Sequence, residues 1–505
     1  MFKNFIGYHL EEQRRNAKYH LREVTRFKRL WELLFCTLTM IVIWNLPSAV
    51  FGIPGLTVVE QRTISVFCFA TLMWIMEPVP AWNTSVTIIV ILLFCVSDSS
   101  LWCMKEGYAP ETFGTLLSYK KLMACFSDPI IMLFIGGFIL AIAATKSGLD
   151  VKLARVLLKP FGTKSENVLL GFLLVTGIFS MFLSNTATAA MMLTFLAPVL
   201  KSLPANGKGK ICLALAIPIG ANVGGIGTPI GTPPNAIALK FLNDPDGMNL
   251  NIGFGQWMIV MFPFALLLLF IAWRMLLMMF PFTQKRIELH IEEKADKPLK
   301  QWQNKLVYIV FIATILLWMT DKVSGINSNV VAMLPVAAFC LSGIITRIDL
   351  EEINWSVLWM VAGGFALGIA LQDTGLAKHL IETIPFETWS PVLMIVGSGI
   401  LCYTMANFIS HTATANLLIP ILAMAGMSAS ATLAPFGGVS TLLIGVALGS
   451  SLAMVLPIST PPNALAHATG LIEQKHMMRV GLIMGIVGLT LGYIMLIFLG
   501  KAGVL

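Results

Sequence analysis

The chain has 505 residues, 57% of them hydrophobic and only 12% charged, with a mean hydropathy of +0.81. A soluble globular domain carries roughly 25% charged residues, so this composition excludes a string of soluble domains and describes one polytopic body in a lipid bilayer. The net charge of +8 does not indicate a nucleic acid, because Lys and Arg cluster between apolar segments and form no basic stripe with interleaved aromatics.

Residues 1–30 are basic and polar, without the short apolar core of a cleavable signal, and read as a cytoplasmic segment. Apolar stretches long enough to span a membrane then fall near 31–50, 63–80, 84–100, 129–146, 209–245, 255–280, 304–321, 329–346, 356–373, 438–470 and 480–499. That predicts eleven transmembrane helices in an all-α, multi-pass protein of the cell membrane with a cytoplasmic N-terminus. The eight cysteines are scattered without a CxxC pair, so neither a disulfide framework nor a metal site is indicated.

Two stretches do not fit that count. The first, 166–200, is too long for one straight helix. Its arm after Ser184 is about 15 residues, roughly 22 Å, against a hydrocarbon core of ~30 Å. Lys152, Arg155, Lys159 and Lys164 precede it, and Lys201, Lys208 and Lys210 follow it. Basic flanks on both sides put both ends in the cytoplasm, which predicts a re-entrant hairpin with "SNTATA" (184–189) near its tip. The second, 388–424, carries "SHTATA" (410–415), has flanks nearly free of Lys and Arg, and predicts a hairpin entering from outside.

Three motif pairs recur at nearly one offset. "GGFILAIAATKSGL" starts at Gly136 and "GGFALGIALQDTGL" at Gly363, 227 residues on; the two hairpin motifs are 226 apart; "TPPNA" starts at Thr232 and again at Thr460, 228 apart. This predicts two inverted repeats, an architecture of secondary transporters. The chain then divides into the segment 1–30, an extra first helix and loop 31–62, a first repeat 63–282 holding the hairpin 166–202, a cytoplasmic linker 283–303, and a second repeat 304–505 holding the hairpin 388–424.

Gly and Pro break the spans at 221–236 and 449–464, and broken backbone at membrane depth belongs where it lines a cavity or lies buried in protein. Thr232 and Thr460 suit the N-cap position, with Pro233 and Pro461 following at the first helical residue. Asn185-Thr186 and His411-Thr412 start the second hairpin arms. Four helix N-termini meeting near the midplane favour an anion, and the carbonyls that end the preceding arms suit a hard cation such as sodium. HExxH and GxSxG motifs are absent, which argues against a membrane-embedded enzyme; a channel is the remaining rival class, separated by flux saturation and counterflow.

The hairpin motifs, the doubled TPPN and "EPVP" (77–80) resemble the divalent anion/sodium symporter family over about residues 31–500. The resemblance implies a homodimer, an elevator-type movement, no cofactor beyond sodium as coupling ion, and a dicarboxylate, tricarboxylate or sulfate as substrate. It places a first sodium at Ser180, Ser184, Asn185 and the carbonyl of Gly231. Substrate contacts would come from Asn185, Thr186, Thr232, Ser410, His411, Thr412, Thr460 and Pro461. The second sodium site departs from the family pattern: His411 stands for Asn, and Ala406, which matches Ser180, offers no side-chain oxygen. Only groups near Ile409 and Ser459 remain there, with Asn407 close by. An imidazole can take up a proton near neutral pH. His411 is therefore expected to supply the positive charge of the absent ion, which turns the chain toward weak sodium dependence, exchange or proton-linked transport. A neutral His411 donating one hydrogen bond is the alternative.

Overall fold

The computed structural model describes residues 29–201, 203–204, 207–245, 247–287, 299–383 and 388–503. The N-terminal segment 1–30 and the centre of the linker 283–303 thus lie largely outside the described residues. Among these the chain is helical, with β structure limited to isolated bridges. The helices that matter here, numbered without the short turns between them, are α1 (29–45), α2 (Val58–Met76), α3 (Ala81–Cys95), α4 (Pro129–Ser147), α5 (Leu149–Leu158), α6 (Ser165–Phe182), α7 (Asn185–Lys201), α8 (Lys208–Gly225), α9 (Pro233–Leu242) and α10 (Phe254–Met279). They continue as α11 (Gln301–Met319), α12 (Met333–Leu341), α13 (Trp355–Asp373), α14 (Leu376–Thr383), α15 (Ser398–Ala406), α16 (His411–Ser428), α17 (Gly438–Ser451), α18 (Pro461–Ala468) and α19 (Gln474–Lys501).

Local chemistry sets most boundaries. Thr57 and Glu60 form a capping box at the start of α2, and Asp128 caps α4 with Pro129 behind it. Leu183 is extended and interrupts the first hairpin, so α6 ends at Phe182 and α7 starts at Asn185. In the second hairpin the helical arms reach from 391 to Ser428, beyond the expected 388–424 at the C-terminal end, and the first arm includes a π-helical stretch, Leu393–Gly397. Seven of the described helices are long and apolar enough to cross a membrane, or eight with the bent pair His411–Ser428 and Ser430–Phe436. The other expected spans are short, as in α1, α3 and the helical turns over 328–341, or broken, as in α8–α9 and α17–α18.

The packing follows one pattern twice. α6 packs on α8 as α15 does on α17; α7 packs on α8 as α16 does on α17; α8 packs on α10 as α17 does on α19. Across the halves, α9 packs on α16 and α18 on α7, while α3 packs on α13 and α12 on α4. Glycines allow the closest approaches. A Cβ on Gly224 of α8 would lie 2.5 Å from Gly177 Cα of α6, backbone that cannot yield as a side chain would. Gly224→Ala is therefore expected to destabilise the protein by about 1–3 kcal/mol, read as a lower melting temperature in detergent; an unchanged melting curve would show that the two helices separate at little cost.

The two second hairpin arms differ in one respect. Along α16, Thr412, Ala413, Asn416, Pro420 and Ala423 are all buried. Asn416 Nδ2 donates to Met360 O of α13 at 2.7 Å, and a Cβ on Gly364 would lie 2.7 Å from Asn416 Cβ. The residues at the same places in α7, namely Thr186, Ala187, Ala190, Thr194 and Ala197, are all exposed. The sequence repeat is thus nearly symmetric, whereas the packing of its two hairpins is not.

Candidate functional site

In the first half, Ser184 Oγ caps α7 by accepting from Ala187 N at 3.2 Å. Ser180 Oγ lies 2.5 Å from Asn185 Oδ1 and 2.7 Å from Ala221 O. A hydroxyl has one proton, so with the Asn185 amide oxygen facing Ser180 one of the two contacts lacks a hydrogen. Either the flipped amide, donating its NH2 to Ser180 Oγ, or a cation among these oxygens removes that conflict. Gly225 opens a cradle beside the cluster: a Cβ there would lie 2.9 Å from Asn185 Oδ1 and 3.0 Å from Gly231 O. The residues of the expected first sodium site, Ser180, Asn185 and Gly231, are thus brought together with carbonyl oxygens of the broken helix, and their oxygen chemistry fits a hard cation.

The second half is arranged differently. Ser410 caps α16 by accepting from Ala413 N at 3.1 Å. The His411 ring lies with Nε2 2.7 Å from Ala453 O, and its backbone carbonyl accepts from Ser450 Oγ at 2.8 Å. Ala453 is the repeat counterpart of Gly225, so a methyl group stands where the first half has its cradle. Ser459 Oγ donates to Asn407 O at 2.9 Å and accepts from Leu456 N at 3.0 Å. Asn407 Oδ1 accepts from Val455 N at 2.8 Å, and Nδ2 donates to Tyr403 O. Ala406 and Ile409 are buried and bring no side-chain oxygen. The polar groups near the expected second cation site are spent on fastening the hairpin to the broken helix, and this donor set does not fit a second sodium.

Thr232 and Thr460 are the N-caps of α9 and α18, each followed by Pro at the first helical position, and both threonines are buried. Thr460 Oγ1 accepts from Asn463 N, whereas Thr232 makes no side-chain cap bond. Asn185, Ser410 and His411 are half-buried, Thr412 is buried, and Thr186 and Pro461 are exposed. Because α9 packs on α16 and α18 on α7, each TPPN helix is joined to the hairpin of the other half.

Sequence reasoning passed over the asparagines of TPPN. Asn235 Nδ2 lies within 3.2 Å of the carbonyls of Gly225, Ile226 and Thr228, and Asn463 Nδ2 within 3.0 Å of those of Met454 and Leu456. These amides satisfy the carbonyls that the helix breaks leave unpaired. Their recurrence at one place in both copies is a signal that could have found them. Asn222 was passed over as well; its Nδ2 reaches across the repeats to Thr460 Oγ1 at 3.2 Å and Asn463 Oδ1 at 3.0 Å.

Residues 27–502 match the protein family described as the sodium:sulfate symporter transmembrane region. The chain is 30% identical over 470 residues to the sodium-dependent dicarboxylate transporter SdcS of Staphylococcus aureus strain USA300, covering 85% of this chain and 84% of the relative. It is 29% identical over 461 residues to the protein of the same name from Staphylococcus saprophyticus, covering 84% and 83%. Among solved structures, MtrF of Neisseria gonorrhoeae, described with a class of antimetabolite efflux pumps, aligns with a TM-score of 0.54 at 14% identity, over 86% of this chain and 97% of its own. The YdaH transporter of Alcanivorax borkumensis aligns with a TM-score of 0.52 at 11% identity, over 86% and 98%. At such identities the two structures speak to the fold alone.

Proposed function

The chain belongs to the sodium:sulfate symporter family, a family of membrane transporters and not of enzymes, and from that premise we propose that it carries small dicarboxylates across the cell membrane, coupled to sodium at one site. The observation that carries this reading is the oxygen cluster of Ser180, Asn185 and Ala221 beside the cradle at Gly225. Ser180, Ser184, Asn185 and Gly231 would hold the sodium. Asn185, Thr186, Thr232, Ser410, His411, Thr412, Thr460 and Pro461 would face the anion, which the helix N-termini and hydroxyls bind without any Lys or Arg in these motifs. The names of the staphylococcal relatives support dicarboxylate over sulfate.

We read the architecture as eleven spans with two opposed hairpins in two inverted repeats, bounded as the motif offsets suggest, in a homodimer with a cytoplasmic N-terminus. One body, α6–α10 with α15–α19, would slide as an elevator against α1–α4 and α11–α13. We read the buried face of α16 and the exposed face of α7 as a state open to the cytoplasm, a reading that rests on the proposed sidedness of the two hairpins. Labelling tests the topology. In a background without native cysteines, Thr163→Cys beside the first hairpin should react with a membrane-impermeant maleimide only from the cytoplasm, and Ser430→Cys beside the second only from outside. Reaction of both from one side would end the inverted-repeat reading.

The His411–Ala453 bond puts an imidazole N–H on a carbonyl of the broken helix, a contact that a neutral or a protonated ring makes equally; in a second reading the protonated ring replaces the second sodium and exchange or proton-linked transport takes over. Uptake of labelled succinate into proteoliposomes against sodium concentration, at several pH values, separates the two. We expect the wild type to rise with sodium as a single ion would make it rise, and His411→Asn to alter the pH dependence. Flat uptake without sodium favours the exchanger. A steep response needing more than one sodium, unchanged in His411→Asn, would refute a charge-replacing His411.

A further inference from the structure

We propose that Asn222 is a positioning residue that turns the proton of the Thr460 hydroxyl toward the transported anion, an inference that rests on reading Thr460 as an anion contact. Asn222 lies on α8 of the first half, and Thr460 caps α18 of the second, 238 residues away. The two helices pack against each other, and Asn222, Thr460 and Asn463 are 1%, 4% and 1% exposed.

The orientation of this network follows from its hydrogen-bond inventory. Asn463 Nδ2 donates to the carbonyls of Met454 and Leu456 at 2.9 and 3.0 Å, which fixes its Oδ1 as an acceptor on the opposite side. The Asn222 group 3.0 Å from that oxygen must therefore be the NH2. A flipped Asn222 would set two amide oxygens against each other. The same NH2 then donates its other proton to Thr460 Oγ1 at 3.2 Å. Asn463 N donates to that oxygen as well, also at 3.2 Å.

A threonine hydroxyl has two acceptor positions and one proton. Both acceptor positions of Thr460 are filled from within the protein, so its proton is committed to the third direction, away from Asn222 and Asn463. A hydroxyl held as a donor suits a carboxylate and costs no reorientation when the anion arrives. The first half has no equivalent: Thr232 makes no side-chain cap bond, and Ser450, the counterpart of Asn222, donates to His411 O. Asn222 is thus a one-sided link through which the first repeat orders the anion site of the second.

The test is a double-mutant cycle with saturable uptake in proteoliposomes, using whichever of succinate, citrate and sulfate the wild type carries best. Thr460→Val, which keeps the shape and removes the hydroxyl, should raise KM about tenfold, as expected for a lost hydrogen bond to a charged group. Asn222→Leu should raise KM several-fold with Vmax within about twofold. Together the two should cost no more than Thr460→Val alone, because the hydroxyl on which Asn222 acts is already gone. Multiplying effects, or a normal KM in Asn222→Leu beside a raised KM in Thr460→Val, would overturn the positioning role and leave the site reading standing. A normal KM in Thr460→Val would overturn the site reading and the proposal with it. If Asn222→Leu fails to fold, Asn222→Ser, which is too short to reach Thr460, takes its place in the cycle.

Discussion

A disulfide between Gly137→Cys and Ala190→Cys will form during turnover and will stop transport. The expectation comes from carrying one contact across the repeat. Asn416 of α16 sits against Gly364 of α13, close enough that a Cβ on Gly364 would lie 2.7 Å from Asn416 Cβ. Their counterparts at the repeat offset are Ala190 of α7 and Gly137 of α4. In the present state Ala190 is exposed, and a Cβ on Gly137 would meet Ile230 Cδ1 at 3.5 Å, an ordinary contact. Both cysteines should therefore be tolerated. If the carrier alternates between two packings related by its internal symmetry, the other state brings 137 and 190 within disulfide reach, a Cβ separation of about 3.5–4.5 Å. Oxidation should lower uptake more than tenfold, reductant should restore it, and neither single-cysteine variant should respond. A cross-linked protein with full activity, or the absence of any cross-link in cycling protein, would remove the symmetric elevator from consideration.

Replacing Asn185 by Ala is expected to reduce transport at least a hundredfold while leaving the fold intact. The Asn185 amide lies close to Ser180 Oγ and borders Gly225, so one truncation removes a ligand from the proposed cation site and a polar group from the proposed anion site. Its half-exposed place at a helix start means that little apolar packing is lost. Thr186→Ala should fall in the same direction by less, because Thr186 is exposed in this state and would engage only the anion. Uptake in proteoliposomes at saturating sodium, with the melting temperature as a control on folding, gives the answer. Near-normal transport by both variants would dismiss the assignment of the hairpin tip.

The fold class was legible in the sequence because it rests on composition and on short-range chemistry. The breaks at Leu183, at Thr232 and at Thr460 follow from caps and prolines that act within three residues of themselves. The helix starts at Asn185, Pro233, His411 and Pro461 were legible for the same reason. The count of spans was less so: α3 and the turns over 328–341 end earlier than their apolar runs, because those runs continue into loops that pack as core without being helical.

By itself the sequence determined a membrane body, its doubled motifs and the departure at His411, since each of these is a matter of residue type and spacing. Only the tertiary structure decided three further points. Asn222 looks like one polar residue in an apolar run until α8 is laid against α18, with its partners more than 230 positions away. Ala453 is one small residue in an apolar run until its carbonyl is found 2.7 Å from His411 Nε2, across from the second hairpin motif. The third point is which hairpin is covered. The doubled motif treats the two stretches alike, and only contacts between distant helices distinguish them, burying Asn416 against α13 and leaving Ala190 exposed.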